Sequence, residues 1–224
     1  ATGSASFYNG IATQSLRLNR ADNNYLYRSA KAGNRRIFTF STWFKRSSDN
    51  LTTSLFGSGT SASNLFMVRL RQSGDNGKLE IQHYASGVQF NLTANRLFRD
   101  FSAWYHLVIA IDTTKTSGTP TNSDRIKVYI NGERLTSFST ENYGSVGSYE
   151  TLVNSLGSTE YVGTEWSSQN WYDGYMAETN LVDGLQLAPE SFGEEKFGVW
   201  IPKEYSGDYG TNGFRLKFDK TGTG

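Results

Sequence analysis

The chain contains no cysteine, three prolines and two histidines in 224 residues. Without cysteine there is no disulfide framework, no thiolate metal site and no cysteine nucleophile, so the fold rests on its core alone. Two histidines leave little for a zinc site. An excess of one charge is also missing: 22 basic side chains face 21 acidic ones, the net charge is +1, and Arg and Lys are scattered. That argues against nucleic acid as the main partner, because phosphate binding needs a basic excess gathered on one face. No run approaches the roughly 18–20 apolar residues of a membrane-spanning helix. Residues 1–10 lack the basic start and apolar run of a secretion signal. Neither membrane insertion nor a signal peptide is expected.

What is abundant points to strands. Aromatic residues make up 14% of the chain, with 5 Trp, 13 Tyr and 14 Phe. That is too many for a disordered chain, and each supplies a large unit of buried area. Gly, Ser, Thr and Asn are spread throughout, and no window carries Ala, Leu, Glu and Lys at helical period. Turn dipeptides punctuate the chain at Asn9-Gly10, Asn131-Gly132, Asp173-Gly174, Asp183-Gly184 and Asn212-Gly213, where Gly tolerates the positive φ of tight turns. No internal repeat connects them. All-β sandwiches run to about 250 residues as one unit, so residues 1–219 are expected to form a single domain. Residues 220–224 (KTGTG) read as a flexible tail or linker.

The clearest strand, 104–112 (WYHLVIAID), puts Tyr105, Leu107, Ile109 and Ile111 on one face and Trp104, His106, Val108 and Ala110 on the other. Both faces are mostly apolar, which predicts cover on both sides. Residues 124–130 (DRIKVYI) alternate Ile126, Val128 and Ile130 inward with Arg125, Lys127 and Tyr129 outward. Asn131-Gly132 then returns the chain into 133–138 (ERLTSF), a hairpin with a type I′ turn. Further strands are expected at 15–19, 25–28, 37–46, 54–57, 65–71, 78–84, 88–91, 160–164, 174–182 and 213–218. Many short strands predict an all-β sandwich or barrel. A short helical turn is expected near 187–195, with Pro189 in the first helical position and acids suited to the positive dipole end. Residues 113–123 and 141–158 read as long polar loops.

Taken in order, 36–46 (RIFTFSTWFKR), 104–112, 125–135 (RIKVYINGERL) and 171–184 (WYDGYMAETNLVDG) resemble the concanavalin-like jelly rolls, nearest their laminin G-like and pentraxin-like branch. Ala177 stands where that family often has Asp, and Glu178 stands as its Glu. Residues 176–194 and 198–218 (GVWIPKEYSGDYGTNGFRLKF) resemble a subgroup found in virion proteins of bacteriophages, notably marine ones. The resemblance implies an antiparallel two-sheet β-sandwich of jelly-roll type on a phage particle. Its role would be non-enzymatic, in capsid decoration or as a tail fibre or receptor-binding part. The partners implied are other virion proteins, copies of the chain itself, and a host-surface glycan. A carbohydrate-binding lectin is the alternative, and a glycan hydrolase of the same fold is the second.

The hydrolase needs an acid and a nucleophile on one strand face, usually as E-x-D-x-x-E, and that spacing does not occur. Glu160 and Glu165 are five residues apart, as are Asp173 and Glu178, an odd offset that sends them to opposite faces of a regular strand. Glu190, Glu194 and Glu195 read as ordinary acids around the helical turn. No G-x-S-x-G marks a serine hydrolase. His106, inside an apolar strand, reads as a hydrogen-bonded sheet-face residue, and no catalytic residue is assigned. No cofactor is expected beyond a calcium ion, which the resemblance admits at one rim of the sandwich; Asp49, Asp75, Asp112, Asp124 and Asp173 are the available rim acids, and none is assigned as a ligand. The expected ligand surface is 166–173 (WSSQNWYD): Trp166, Gln169, Asn170, Trp171, Tyr172 and Asp173, joined by Tyr143 and Tyr149. Aromatic faces there would stack on sugar C–H patches while amides and acids bond the hydroxyls. The competing reading has Trp171 and Tyr172 opening a core strand. Trp200, Tyr205 and Tyr209 are expected to seal a sandwich edge or meet a neighbouring subunit.

Overall fold

Alternation of aromatic and β-branched side chains with polar ones makes strands whose two faces differ, and two such sheets bury their apolar faces against each other. The computed structural model describes residues 9–48, 51–72, 77–115, 122–144, 149–167 and 169–220. In chain order the strands are β1 (Leu16–Leu18), β2 (Leu26–Ser29), β3 (Ile37–Arg46), β4 (Thr53–Ser61), β5 (Asn64–Leu70), β6 (Lys78–Ala85), β7 (Val88–Leu97) and β8 (Tyr105–Asp112). They continue as β9 (Ile126–Ile130), β10 (Glu133–Arg134), β11 (Phe138–Asn142), β12 (Thr159–Val162), β13 (Gly174–Asp183), β14 (Gly193–Lys196), β15 (Val199–Pro202) and β16 (Phe214–Leu216). The first sheet runs β1-β13-β3-β8-β9-β10, with β16 also paired to β13. The second runs β11-β7-β6-β5-β4-β12-β2, and β14 and β15 form a separate hairpin. The fold is an all-β antiparallel sandwich with, among the described residues, one short α-turn (Asn122–Arg125) and two 3₁₀ turns.

Phe38, Phe40 and Phe44 of β3 and Leu107, Ile109 and Ile111 of β8 line the inner face of the first sheet and are fully buried. Phe56, Phe66 and Phe90 answer from the second, with Phe40 stacked on Phe56 at 4.6 Å and Phe66 edge-on to Phe38 at 5.7 Å. Burying each such ring contributes about 1.5–3 kcal/mol, which is how a chain without cysteine holds two sheets together.

The outer face of the first sheet is covered as well. Val108, Val182 and Phe192 form a second buried cluster, with Tyr129, Leu187, Tyr205 and Tyr209 packed on it. The C-terminal segment therefore shelters the side of β8 that carries His106 and Val108. Trp200, Tyr205 and Tyr209 seal a sheet face rather than an edge.

The chain departs from its pattern in several places. The expected helical turn at 187–195 shrinks to the 3₁₀ turn Pro189–Ser191, because Gly193 to Lys196 pair with β15 instead. The strand expected from 124 starts at Ile126; Arg125 ends the α-turn and is buried, donating to the Gly144 carbonyl at 3.0 Å. Asn131 and Gly132 take φ of +51° and +82°, the two positive values of a type I′ turn. The return strand pairs only over Glu133–Arg134, after which the chain crosses to the second sheet as β11 beside β7. The expected loop 141–158 thus opens with two residues of β11, and its buried part, Thr151 to Ser155, packs at the rim. There Asp183 accepts from the backbone of Asn34 at 2.7 Å and of Asn212 at 3.1 Å, and from the Asn154 amide at 3.1 Å. This knot ties the C-terminal segment to two distant loops. Much of the expected loop 113–123, namely 116–121, and the tail 221–224 lie outside the described residues.

Candidate functional site

The register of β12 against β2 sets Tyr161 opposite Tyr27, and against β4 it sets Tyr161 opposite Gly57. Val162 on the neighbouring position belongs to the core, so Tyr161 and Tyr27 share the outer face of the second sheet. Tyr25 lies 6.0 Å from Tyr27 and 5.8 Å from Tyr161, ring centre to ring centre. Trp166 meets Tyr161 edge-on at 5.6 Å. Tyr27 adjoins Tyr25 and Tyr161 yet is 71% exposed.

The segment after β12 lies back over the same face. Gly163, at φ +89°, starts the turn, and the Tyr172 amide closes it by donating to the Gly163 carbonyl at 2.7 Å. Gly57 makes room beneath: a Cβ there would lie 2.1 Å from the Glu165 carbonyl oxygen. The Ser54 amide donates to the Asn170 carbonyl at 2.8 Å, pinning the far side of the loop to β4. Gln169 is exposed and Asn170 half-exposed, both beside Trp166.

Two carboxylates sit under this surface, and each oxygen is engaged. Glu80 is bound by Arg69 Nε and by Arg71 Nη1, the latter at 2.7 Å. Glu165 accepts from the Ser54 hydroxyl at 2.9 Å and the Asn170 amide at 2.7 Å, with Arg69 at 3.4 Å. Both side chains are buried.

Of the expected ligand surface, Trp166, Gln169 and Asn170 therefore stand together. Tyr172, Asp173, Tyr143 and Tyr149 do not join them. Tyr172 is fully buried in the core, as the packing alternative had it, and burial raises its hydroxyl pKa well beyond the usual phenol range. Trp171 is half-buried beside it. Asp173 pairs with Arg17 at 3.1 Å, on the β1 side of β13. Tyr149 stacks over His83 at 6.3 Å and packs with Tyr143 against the core, on the side of β7 rather than β12. Tyr25, Tyr27 and Tyr161 were missing from the expected surface; the signal was Tyr25 and Tyr27 at strand period, on one face of a short strand.

Three of the five rim acids are paired with basic side chains. Asp112 pairs with Lys115 at 3.8 Å, Asp124 with Lys127 at 3.7 Å and Arg134 at 3.5 Å, and Asp173 with Arg17. Among the described residues no three carboxylates or histidines gather at one point, whereas calcium seeks six to eight oxygens. Asp49 and Asp75 lie outside the described residues.

His106 is the hydrogen-bonded sheet-face residue expected of it. Trp200 Nε1 donates to its Nδ1 at 2.8 Å, so the ring proton sits on Nε2 and is given to the Ser41 hydroxyl at 2.9 Å. Burial drives its pKa down to about 3. A neutral, doubly bonded imidazole under a tryptophan is a fastening.

Comparison with known proteins bears on the whole architecture. No curated protein matches the sequence. Among solved structures, a heptameric SAP-like pentraxin from Limulus polyphemus shares 19% identity over 78% of this chain and 76% of its own, with a TM-score of 0.53. The enzymatically active domain of tailspike protein 2 from bacteriophage CBA120 shares 16% identity over 80% of this chain, at a TM-score of 0.56. Domains LG4-5 of the mouse laminin alpha1 chain share 9% over 92%, at 0.53. The chain spans 26% of that tailspike chain and 47% of that laminin chain, and at these identities the likeness is one of fold. A laminin G-type family model described as the concanavalin A-like lectin/glucanases superfamily matches residues 20–190. The chain belongs to that superfamily.

Proposed function

We propose that the chain is a non-catalytic glycan-binding module of a bacteriophage virion, which holds a host-surface saccharide against the outer face of the second sheet. The observation that carries this reading is the cluster of Tyr25, Tyr27, Tyr161 and Trp166, with Tyr27 projecting into solvent and the exposed Gln169 bridged to Trp166. Sugar C–H faces stack on such rings, and planar amides bond the hydroxyls that rim them.

Two further points support it. A glycosidase needs one carboxyl free to protonate the leaving oxygen and another free to attack or to activate water. On this face Glu80 and Glu165 are already held by arginines and by hydroxyl and amide donors. The virion setting is supported by the resemblance of 176–218 to β-sandwich domains of phage particles, where decoration or adhesion requires no chemistry. The phage tailspike domain shares the fold.

A glycan array probed with the protein and with Tyr27→Ala tests the binding. Binding to at least one surface glycan, lost in Tyr27→Ala, is expected, with no reducing ends released from the glycans retained. A blank array, or unchanged binding by the variant, would overturn the site; released reducing ends would overturn the non-catalytic role. Purified phage particles that encode the chain but do not contain it would overturn the virion setting.

A further inference from the structure

Three of the five tryptophans gather on the opposite side of the molecule, on the outer face of the first sheet. Trp43 stands on β3, stacked on His106 at 4.8 Å with 14° between the ring planes. Trp200 lies against the Asn131-Gly132 turn and is fixed by its bond to His106. Trp104, just before β8, is 36% exposed and tilts toward Tyr175 at 6.4 Å. Packing of the C-terminal segment explains Trp200. It does not explain an open indole at Trp104.

Two adjoining cavities, of about 590 and 360 Å³, share Trp43 and Trp104 as a common wall. Both volumes fall within the roughly 300–1,000 Å³ of small-ligand sites. The larger extends past Trp200 and is edged by Glu133, Glu190 and Glu195, with Arg96 opposite in charge; three acids against one base leave a local charge of −2. The smaller is edged by Thr13, Gln14 and Ser15. Trp43 is only 7% exposed, and among the described residues its indole N–H has no hydrogen-bond partner. A buried donor left unpaired is uncommon in folded proteins and calls for an acceptor.

We propose that this trough is a second binding site, distinct from the one on the second sheet, for a neutral saccharide chain of at least two sugar units. The open Trp104 indole, on the wall common to both lobes, provides the stacking platform, and carboxylates and hydroxyls at the margins meet sugar hydroxyls. The acidic margin repels sialylated, uronic or sulfated chains. Two lobes sharing one aromatic wall suit a chain better than a single ring.

Calorimetric titration with cellohexaose, mannohexaose and N-acetylchitohexaose, with hexagalacturonate as the charged control, tests the site. At least one neutral hexamer should bind and perturb tryptophan emission, while hexagalacturonate should not. Trp104→Ala should weaken that binding roughly tenfold or more, as removal of a central aromatic anchor does. Tyr27→Ala should leave it unchanged. Glu195→Ala, at an exposed position of β14, should also weaken it and serves where Trp104→Ala fails to fold. Failure of all three neutral chains to bind, binding of hexagalacturonate as tight as theirs, or binding indifferent to Trp104→Ala and Glu195→Ala would overturn the proposal. Loss in Tyr27→Ala alone would locate the saccharide on the second sheet, overturning this site while leaving the other standing.

Discussion

His106 is held neutral by what surrounds it: burial, the Trp43 face, and the Trp200 N–H aimed at Nδ1. His83 is depressed too, to about 4, by burial and then by the charge of Arg35. In the unfolded chain both return to roughly 6.5. The folded state then binds fewer protons than the unfolded one between these values, so stability rises with pH across the window. It is fully present above 6.5 and is lost as pH falls toward about 4 for His83 and about 3 for His106. A urea midpoint measured at pH 5 should therefore lie below that at pH 7; equal midpoints would contradict the depressed values. His106→Leu leaves the Trp200 N–H and the Ser41 hydroxyl without their partner and should cost about 1–3 kcal/mol at pH 7 by urea unfolding. The same variant should flatten the slope between pH 6.5 and 5. The alternation of 104–112 makes His106 legible as a sheet-face residue. Its partners are 65 and 94 residues away, and no local pattern points to them.

At the scale of elements, the loop over the second sheet depends on one residue having no side chain. Gly57 has ordinary strand geometry, so the cost of a Cβ there is steric, with the Glu165 carbonyl oxygen at 2.1 Å and its Cα at 2.5 Å. Gly57→Val should push the 163–173 loop off the sheet, lower stability by about 1–3 kcal/mol, and abolish glycan retention on an array. Retained binding by a folded variant would show that the loop takes no part. Elements with strong local patterning were readable: β3 matches its expected bounds of 37–46, and the Asn131-Gly132 turn has the expected geometry. β14 and β15 were not. Glu194, Glu195 and Lys196 carry no apolar alternation, and the pairing is stabilised by Trp200 packing on Gly193, a contact between chain segments. The crossing of the chain into β11 was hidden for a similar reason, since Phe138–Asn142 is polar and exposed apart from its first residue.

For the molecule as a whole, each outer face of the sandwich is partly roofed by a different segment, 163–173 on one side and the C-terminal residues on the other. The Asp183 knot couples the C-terminal roof to the loops around Asn34 and Asn154. The candidate site was half readable for the same structural reason. Trp166, Gln169 and Asn170 are neighbours in sequence and stay neighbours in space. Tyr25 and Tyr27 reach Tyr161 only through the register of β2 on β12, across more than a hundred residues of chain. Tyr172 shows the converse, since sequence proximity to Trp166 did not keep it on the surface. The most direct measurement is an amide and indole NMR titration with a glycan selected on the array. The backbone signals of Tyr27 and Tyr161 and the Trp166 indole N–H should shift progressively and saturate. Saturable binding of the glycan while those three signals stay fixed would contradict the account.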